Sequence, residues 1–292
     1  MDARECYIQA GTIASKARML ATKIVIPGAR ILDIAEQIEK MILDEGAGIA
    51  FPVNISLNST AAHYTPFFGD ETKISENDYV KVDIGVHIEG YIADTAVTIR
   101  PAGKDRLIEC SEKMLEAALG VIKPGSAVSE VGEVVEKVAK EYGFSVVRNL
   151  SGHCLERYDL HAGFIIPNVK NNMTEKFEKG HAYAIEPFCT SGSGFVKDSG
   201  NVLIFSFLKN APSRSPECRK ILEIAKSYNN LPFAKRWIER EIHGAILENS
   251  LRQLIAMNAL HPYYVLKEVS GAPVAQAEHT IFVDDEIIVT TK

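Results

Sequence analysis

Asp83 and Asp94 stand eleven residues apart in the stretch Tyr79-Val-Lys-Val-Asp83-Ile-Gly-Val-His-Ile-Glu89-Gly90-Tyr-Ile-Ala-Asp94-Thr-Ala-Val-Thr-Ile-Arg100. The β-branched and apolar flanks around Glu89-Gly90 predict a tight hairpin. Because the two positions add to an odd number, both carboxylates fall on one face in any simple two- or four-residue register. They are then directly opposite or diagonal, with roughly 4.5 to 8 Å between their β-carbons. Two partly buried carboxylates that close repel each other unless protons or cations neutralise them. A pair of divalent ions about 3.5–4 Å apart fits such a gap, so the hairpin points to metal chemistry.

Three more positions place an acid or an imidazole in apolar, strand-like surroundings: His153 in Asn149-Leu-Ser-Gly-His153-Cys-Leu, Glu186 in Ala182-Tyr-Ala-Ile-Glu186-Pro-Phe, and Glu278 in Val274-Ala-Gln-Ala-Glu278-His-Thr-Ile-Phe. A glutamate is a poor strand former and is expensive to bury unless paired or metal-bound. Alone, each is more often a solvated or salt-bridged side chain. Together, four carboxylates and one imidazole make a hard, mostly oxygen donor set that suits Mn, Fe, Co or Zn. His63 and His161 lie in segments that read as loops, where reactive groups concentrate, although a lone loop histidine is more often merely exposed. His87, His181, His243, His261 and His279 carry no such signal. His279 follows Glu278 directly and should point to the opposite face of a strand.

The elements that must position these groups show an internal repeat. Pro27-Gly28-Ala-Arg-Ile31 through Gly46 resembles Pro124-Gly125-Ser-Ala-Val128 through Gly143 at a constant offset of 97 residues. Each copy reads as a turn, an amphipathic helix and a glycine stop. Either two surface helices share a common pattern, or two related halves pack about a pseudo-twofold axis with a site between them. Strands are predicted at 49–57 and in the 79–100 hairpin of the first half. In the second half they are predicted at 144–149, 181–189, 202–207, 275–283 and 286–290. Helical spacing interrupts this series twice, after Ser215-Pro216 and over 244–260, as an inserted subdomain would. The class is α+β, with helices covering a curved antiparallel sheet.

Composition narrows the function classes. A net charge of -6 over 292 residues argues against a dominant nucleic-acid surface. No apolar run approaches the roughly 20 residues of a membrane span, and the charged start Met1-Asp-Ala-Arg-Glu reads as helix, not as a signal peptide. Five scattered cysteines suit reduced thiols in a cytosol better than a disulfide framework. There is neither a phosphate-binding glycine loop nor a serine nucleophile elbow.

Several strings in order resemble the methionine aminopeptidases: Phe51-Pro-Val-Asn with Ala61-Ala-His63-Tyr, Val82-Asp83-Ile-Gly, Ile92-Ala-Asp94-Thr, Ser151-Gly-His153 with His161-Ala-Gly, Ala184-Ile-Glu186-Pro, and Ala275-Gln-Ala-Glu278-His-Thr. The likeness runs over essentially the whole chain, and the helical stretch before the last string is similar to the type II, archaeal class. It implies a pita-bread fold with halves of about 1–105 and 106–292 and a type II insertion of about 208–267. It implies two divalent ions, with Asp94 and Glu278 bridging, Asp83 on one ion, and His153 and Glu186 on the other. An activated water would attack the carbonyl after the first residue, and the free α-amine at an ion would restrict cutting to chain ends. Glu186 would carry the proton to the leaving amine. His161 would stabilise the oxyanion, and His63 would orient the substrate. Phe51, Leu160 and Tyr263 are the expected methionine pocket. The substrate would be the nascent N-terminus, met in the cytoplasm by a monomer with at most transient ribosome association. One departure is Ala277, where the family usually has a bulky aromatic. In strand alternation it faces away from the ligands, which puts packing at risk. The alternatives are an enzyme of the same fold cutting before proline, as prolidase or aminopeptidase P does, and a non-catalytic ribosome- or RNA-binding relative. The first lacks support because its extra N-terminal domain is missing, and the second because all five ligands are present.

Overall fold

A computed structural model describes residues 1–292. The first half begins with α1 (Ala3–Ile24), capped by the Asp2 side chain accepting from the Glu5 amide, and α2 (Ile31–Asp44). Strands β1 (Gly48–Leu57), β2 (Thr60–Ala62), β3 (Val80–Ile88) and β4 (Tyr91–Ile99) follow. The next stretch holds α3 (Arg106–Val121), α4 (Ser129–Tyr142), β5 (Ser145–Val146), β6 (Ser151–Glu156), β7 (Asp159–Pro167), β8 (Ala182–Ile185), β9 (Phe188–Thr190) and β10 (Val196–Phe207). Then come α5 (Pro216–Ser227), β11 (Phe233–Ala234), α6 (Lys235–Ile238), α7 (Gly244–Ala256) and β12 (Leu260–Glu268), and finally β13 (Val274–Gln276), β14 (His279–Val283) and β15 (Ile287–Val289). The strands form antiparallel sheets in the orders β1-β3-β4, β11-β10-β12-β2, β13-β9-β5 and β15-β14-β8-β6-β7.

Three cores sort the elements. The apolar stripes of α1 and α2, including Ile13, Ile34 and Ile38, pack on Val82 and Ile84 of β3. Those of α3 and α4, including Leu107, Met114 and Val135, pack with Tyr183, Ile281 and Val283. Residues of α5 and α7, among them Ile221, Leu222, Leu247 and Leu251, bury a separate cluster with Phe205 and Phe233. Arg236 ties that third core to the first, because its buried guanidinium pairs with Glu39 on α2.

The 97-residue repeat extends to hydrogen bonding. The Gly28 and Ile31 amides donate to the Ile74 and Thr72 carbonyls at 2.8 and 3.0 Å, and the Gly125 and Val128 amides donate to the Phe177 and Glu175 carbonyls at 2.8 and 2.9 Å. Each turn is therefore pinned by an isolated β-bridge in the same way, Arg30 to Lys73 and Ala127 to Lys176.

Several expected boundaries move. The segment read as one strand over 181–189 breaks at Glu186-Pro187, because proline has no amide to continue a ladder. The 275–283 strand breaks at Ala277-Glu278, and the 144–149 strand is only Ser145–Val146. The helix expected to reach residue 260 stops at Ala256, and Leu260 starts β12 instead. His161, expected in a loop, lies within β7.

Candidate metal centre

The two halves meet along a seam. Thr280 Oγ1 accepts from the Asp94 amide at 2.7 Å and donates to the Asp94 carbonyl at 2.8 Å. Thr98 Oγ1 does the same for Gln276, accepting at 2.8 Å and donating at 2.7 Å. Between these pairs the Glu278 amide donates to the Ala96 carbonyl at 3.1 Å, and Thr95 Oγ1 donates to the Glu278 carbonyl at 2.8 Å. Side-chain hydroxyls thus replace part of a backbone ladder, and they fix the backbones that carry Asp94 and Glu278.

On the first side of the seam, β3 and β4 pair with Ile88 opposite Tyr91. The loop is only Glu89-Gly90, with φ of 52° and 91°, as a type I′ turn requires. Gly85 then faces Asp94 and Asp83 faces Ala96, so the two aspartates are diagonal on one face. Strand β1 bulges around Pro52 and brings Asn54 opposite Asp83. A side chain at Gly85 would stand 2.3 Å from the Phe51 ring, so this close approach requires glycine.

On the second side, β6 carries His153 between β7 and β8. Glu186 follows β8 at the proline break, and Glu278 occupies the break between β13 and β14. One ligand atom each from Asp94, His153 and Glu278 lie within 4.8 Å of one another. His153 Nε2 is 3.4 Å from Glu186 Oε1 and 3.8 Å from Asp94 Oδ2. Its Nδ1 lies 3.3 Å from the Cys154 carbonyl, which can only accept, so the proton belongs on Nδ1 and Nε2 is bare. Burial lowers this imidazole to about 4, which keeps it in the neutral, ligating form.

The acids are short of donors. Asp83 Oδ1, Asp94 Oδ1 and Glu278 Oε1 are buried without any hydrogen-bond partner. Burial raises the Asp83 carboxyl to about 7, against partial relief from hydrogen bonds with Asp94, Asn54 and Gln276. Burial, then the Asp83 and Glu186 charges, raises Asp94. Glu186 and Glu278 are raised by burial and by their acidic neighbours. Four clustered carboxylates, three of them with a buried unpaired oxygen, and one bare imidazole nitrogen fit hard divalent cations.

The model of metallopeptidase family M24 matches residues 5–226. The chain belongs to that family. A methionine aminopeptidase of Pyrococcus abyssi is 46% identical over 289 residues, covering 98% of each chain. Among solved structures, a thermophilic Arx1 superposes with a TM-score of 0.85 at 22% identity, covering 99% of this chain and 90% of that one. The methionine aminopeptidase of Thermotoga maritima superposes with a TM-score of 0.71 at 21% identity, covering 98% and 94%. At such identities the structures speak for the fold alone, the pita-bread arrangement of curved antiparallel sheets.

In this M24 metallopeptidase all the residues singled out from the sequence line one cavity of about 250 Å³, from the acids to Phe51, Leu160 and Tyr263. The Tyr263 ring lies 5.6 Å from that of His63 and 6.0 Å from that of His161. His161 stacks edge-on to His153 at 4.6 Å; the residue is exposed, but loss of water around its ring, with three neighbouring histidines, lowers it well below its ordinary value. His63, at a φ of 63°, holds Nδ1 3.1 Å from the Tyr264 carbonyl. His279 points away from the acids, with Nδ1 near Arg18 and Thr291. Ala277 also points away, into the core under α3 and beside a cleft of about 560 Å³.

Five contributors escaped the sequence reading. Asn54 and Gln276 each sit beside a candidate ligand, and Gln276 Nε2 donates to Glu278 Oε2 at 3.3 Å. Their one signal was a polar residue inside an apolar strand. His261 packs on Tyr263 at 4.8 Å, a position visible only once β12 is known. The Thr98 and Thr280 hydroxyls gave no signal beyond strand propensity.

Proposed function

We infer that this metallopeptidase is a methionine aminopeptidase that removes the N-terminal methionine of polypeptides. The observation that supports it best is the set of uncompensated buried oxygens of Asp83, Asp94 and Glu278 at the end of a cavity with room for about one residue. Asp83, Asp94, His153, Glu186 and Glu278 would hold two divalent ions, with Asp94 and Glu278 shared. Such ions would supply an activated water and polarise the scissile carbonyl. Co, Mn, Fe or Zn all suit the donor set.

The remaining steps fall to the chain's own groups. His63 has Nδ1 committed to the Tyr264 carbonyl, so in its neutral form Nε2 accepts from a substrate N–H near the scissile bond. Neutral His161 donates to the developing oxyanion. Glu186 moves a proton from water to the leaving amine. Phe51, Leu160 and Tyr263 take the methionine side chain, discriminating by roughly 1–3 kcal/mol per misplaced methylene. Residues of about 208–267 form the type II insertion within the second of two halves, about 1–105 and 106–292. The working state is a cytoplasmic monomer meeting nascent chains, with any ribosome association transient. No helix is long and apolar enough to cross a membrane.

Parallel assays on Met-Gly-Met and on Xaa-Pro peptides, using protein stripped of metal and reconstituted, test the assignment. Metal-dependent release of methionine with about two ions per chain is expected. Cleavage of the Xaa-Pro peptide alone, or no stoichiometric metal and no peptidase activity, would overturn it.

A further inference from the structure

We propose that the substrate segment after the scissile bond binds as an added β-strand along the free edge of β7. This rests on the reading that the substrate is a polypeptide cut at its N-terminus. Strand β7 ends the order β15-β14-β8-β6-β7, and β6 is its one partner. A strand that lines a cavity with its face contributes every second residue. Here Leu160, His161, Ala162, Gly163, Phe164 and Ile165 all line it without a gap, so the cavity abuts the strand's edge.

No strand pairs with the outer edge of β7. The inner ladder is itself irregular: register with β6 slips between Cys154↔Ala162 and His153↔Ile165, which leaves Gly163 and Phe164 with no partner there. The Phe164 carbonyl accepts from the Cys154 thiol at 3.4 Å. His161 packs on His153 at 4.6 Å, and Ile165, which pairs with His153 in the ladder, is 55% exposed. A peptide with its first residue at the acids therefore passes along this edge as it leaves the cavity. Alternate peptide amides and carbonyls then meet the strand edge. Main-chain pairing of this kind accepts any sequence downstream, which suits an enzyme whose substrates share only their first residue.

The test uses seven-residue Met-Gly peptides carrying one N-methyl amide at residue 3, 4, 5 or 6. Removing an amide that donates to β7 should lower kcat/KM roughly three- to tenfold. The losses should alternate along the peptide, with KM carrying them. Equal rates for all four, or equal losses for all four, would overturn the strand. Failure of the unmodified peptide to release methionine would remove the activity itself and the proposal with it, an outcome distinct from equal rates. Changing the substrate leaves the folded protein untouched.

Discussion

Glu268 and Glu278 are ten residues apart and almost equally buried, at 3% and 2% exposure, yet their surroundings are opposite. One oxygen of Glu268 accepts from the Ser193 amide and hydroxyl, both at 2.6 Å. The other accepts from the Ser270 amide at 2.7 Å, the Ser270 hydroxyl at 2.6 Å and the Ala272 amide at 3.1 Å. Burial pushes this carboxyl up, but the Ser193 and Ser270 hydrogen bonds outweigh it and bring it down to about 2. Glu278 receives one long bond from Gln276, leaves an oxygen bare, and is raised by burial and by three acidic neighbours. A buried carboxylate saturated with donors holds loops together. One left short among like charges has room for a cation.

The contrast breaks most visibly in activity. Glu278→Gln should lower kcat/KM by at least roughly 10³-fold, about 4 kcal/mol, and reduce bound metal, while Glu268→Gln stays within a few-fold. Steady-state assays with elemental analysis decide, and full activity in Glu278→Gln would refute a metal role. Next comes His161→Ala, which should keep metal bound and cut kcat by roughly 10²-fold. Loss of metal instead would move His161 among the ligands.

Stability should separate the two glutamates in sign. In metal-free protein at pH 8, Glu278→Gln relieves repulsion and should gain roughly 1–3 kcal/mol in urea unfolding, whereas Glu268→Gln should lose a similar amount. Equal signs would erase the distinction. A pH slope separates the two sites as well. Asp83 binds its proton more tightly when folded, at about 7 against an ordinary 3.8. Metal-free stability should therefore fall as pH rises through that window, and added divalent metal should remove the fall. Glu268 acts oppositely: its stabilisation is present above an ordinary 4.5 and is lost as pH falls towards about 2. Thermal melts across pH, with and without chelator, read both.

The hairpin was legible because period-two alternation and a Glu-Gly turn are local signals, and the five ligand candidates stood out as charge or imidazole inside apolar runs. Strand β12 was not, because it is defined by pairing with β10 and β2 rather than by its own pattern. That hid His261. The break at Pro187 had a local sign. The break at Glu278 had none, since it arises where the Glu278 amide turns to Ala96 across the seam. Helix α7 was drawn too long because Leu260 continues its apolar stripe while belonging to a strand.

The threonine stitch has a further meaning. Thr280 grips the backbone of Asp94 while Thr98 grips that of Gln276, and the two residues on each side of the seam lie four apart in sequence. Reciprocity of this kind, in which each side offers the other the same hold, is the signature of an isologous contact between identical subunits. Here it occurs inside one chain. A centre built on such a contact is intrinsically one per two copies of the half, and neither half can own it alone.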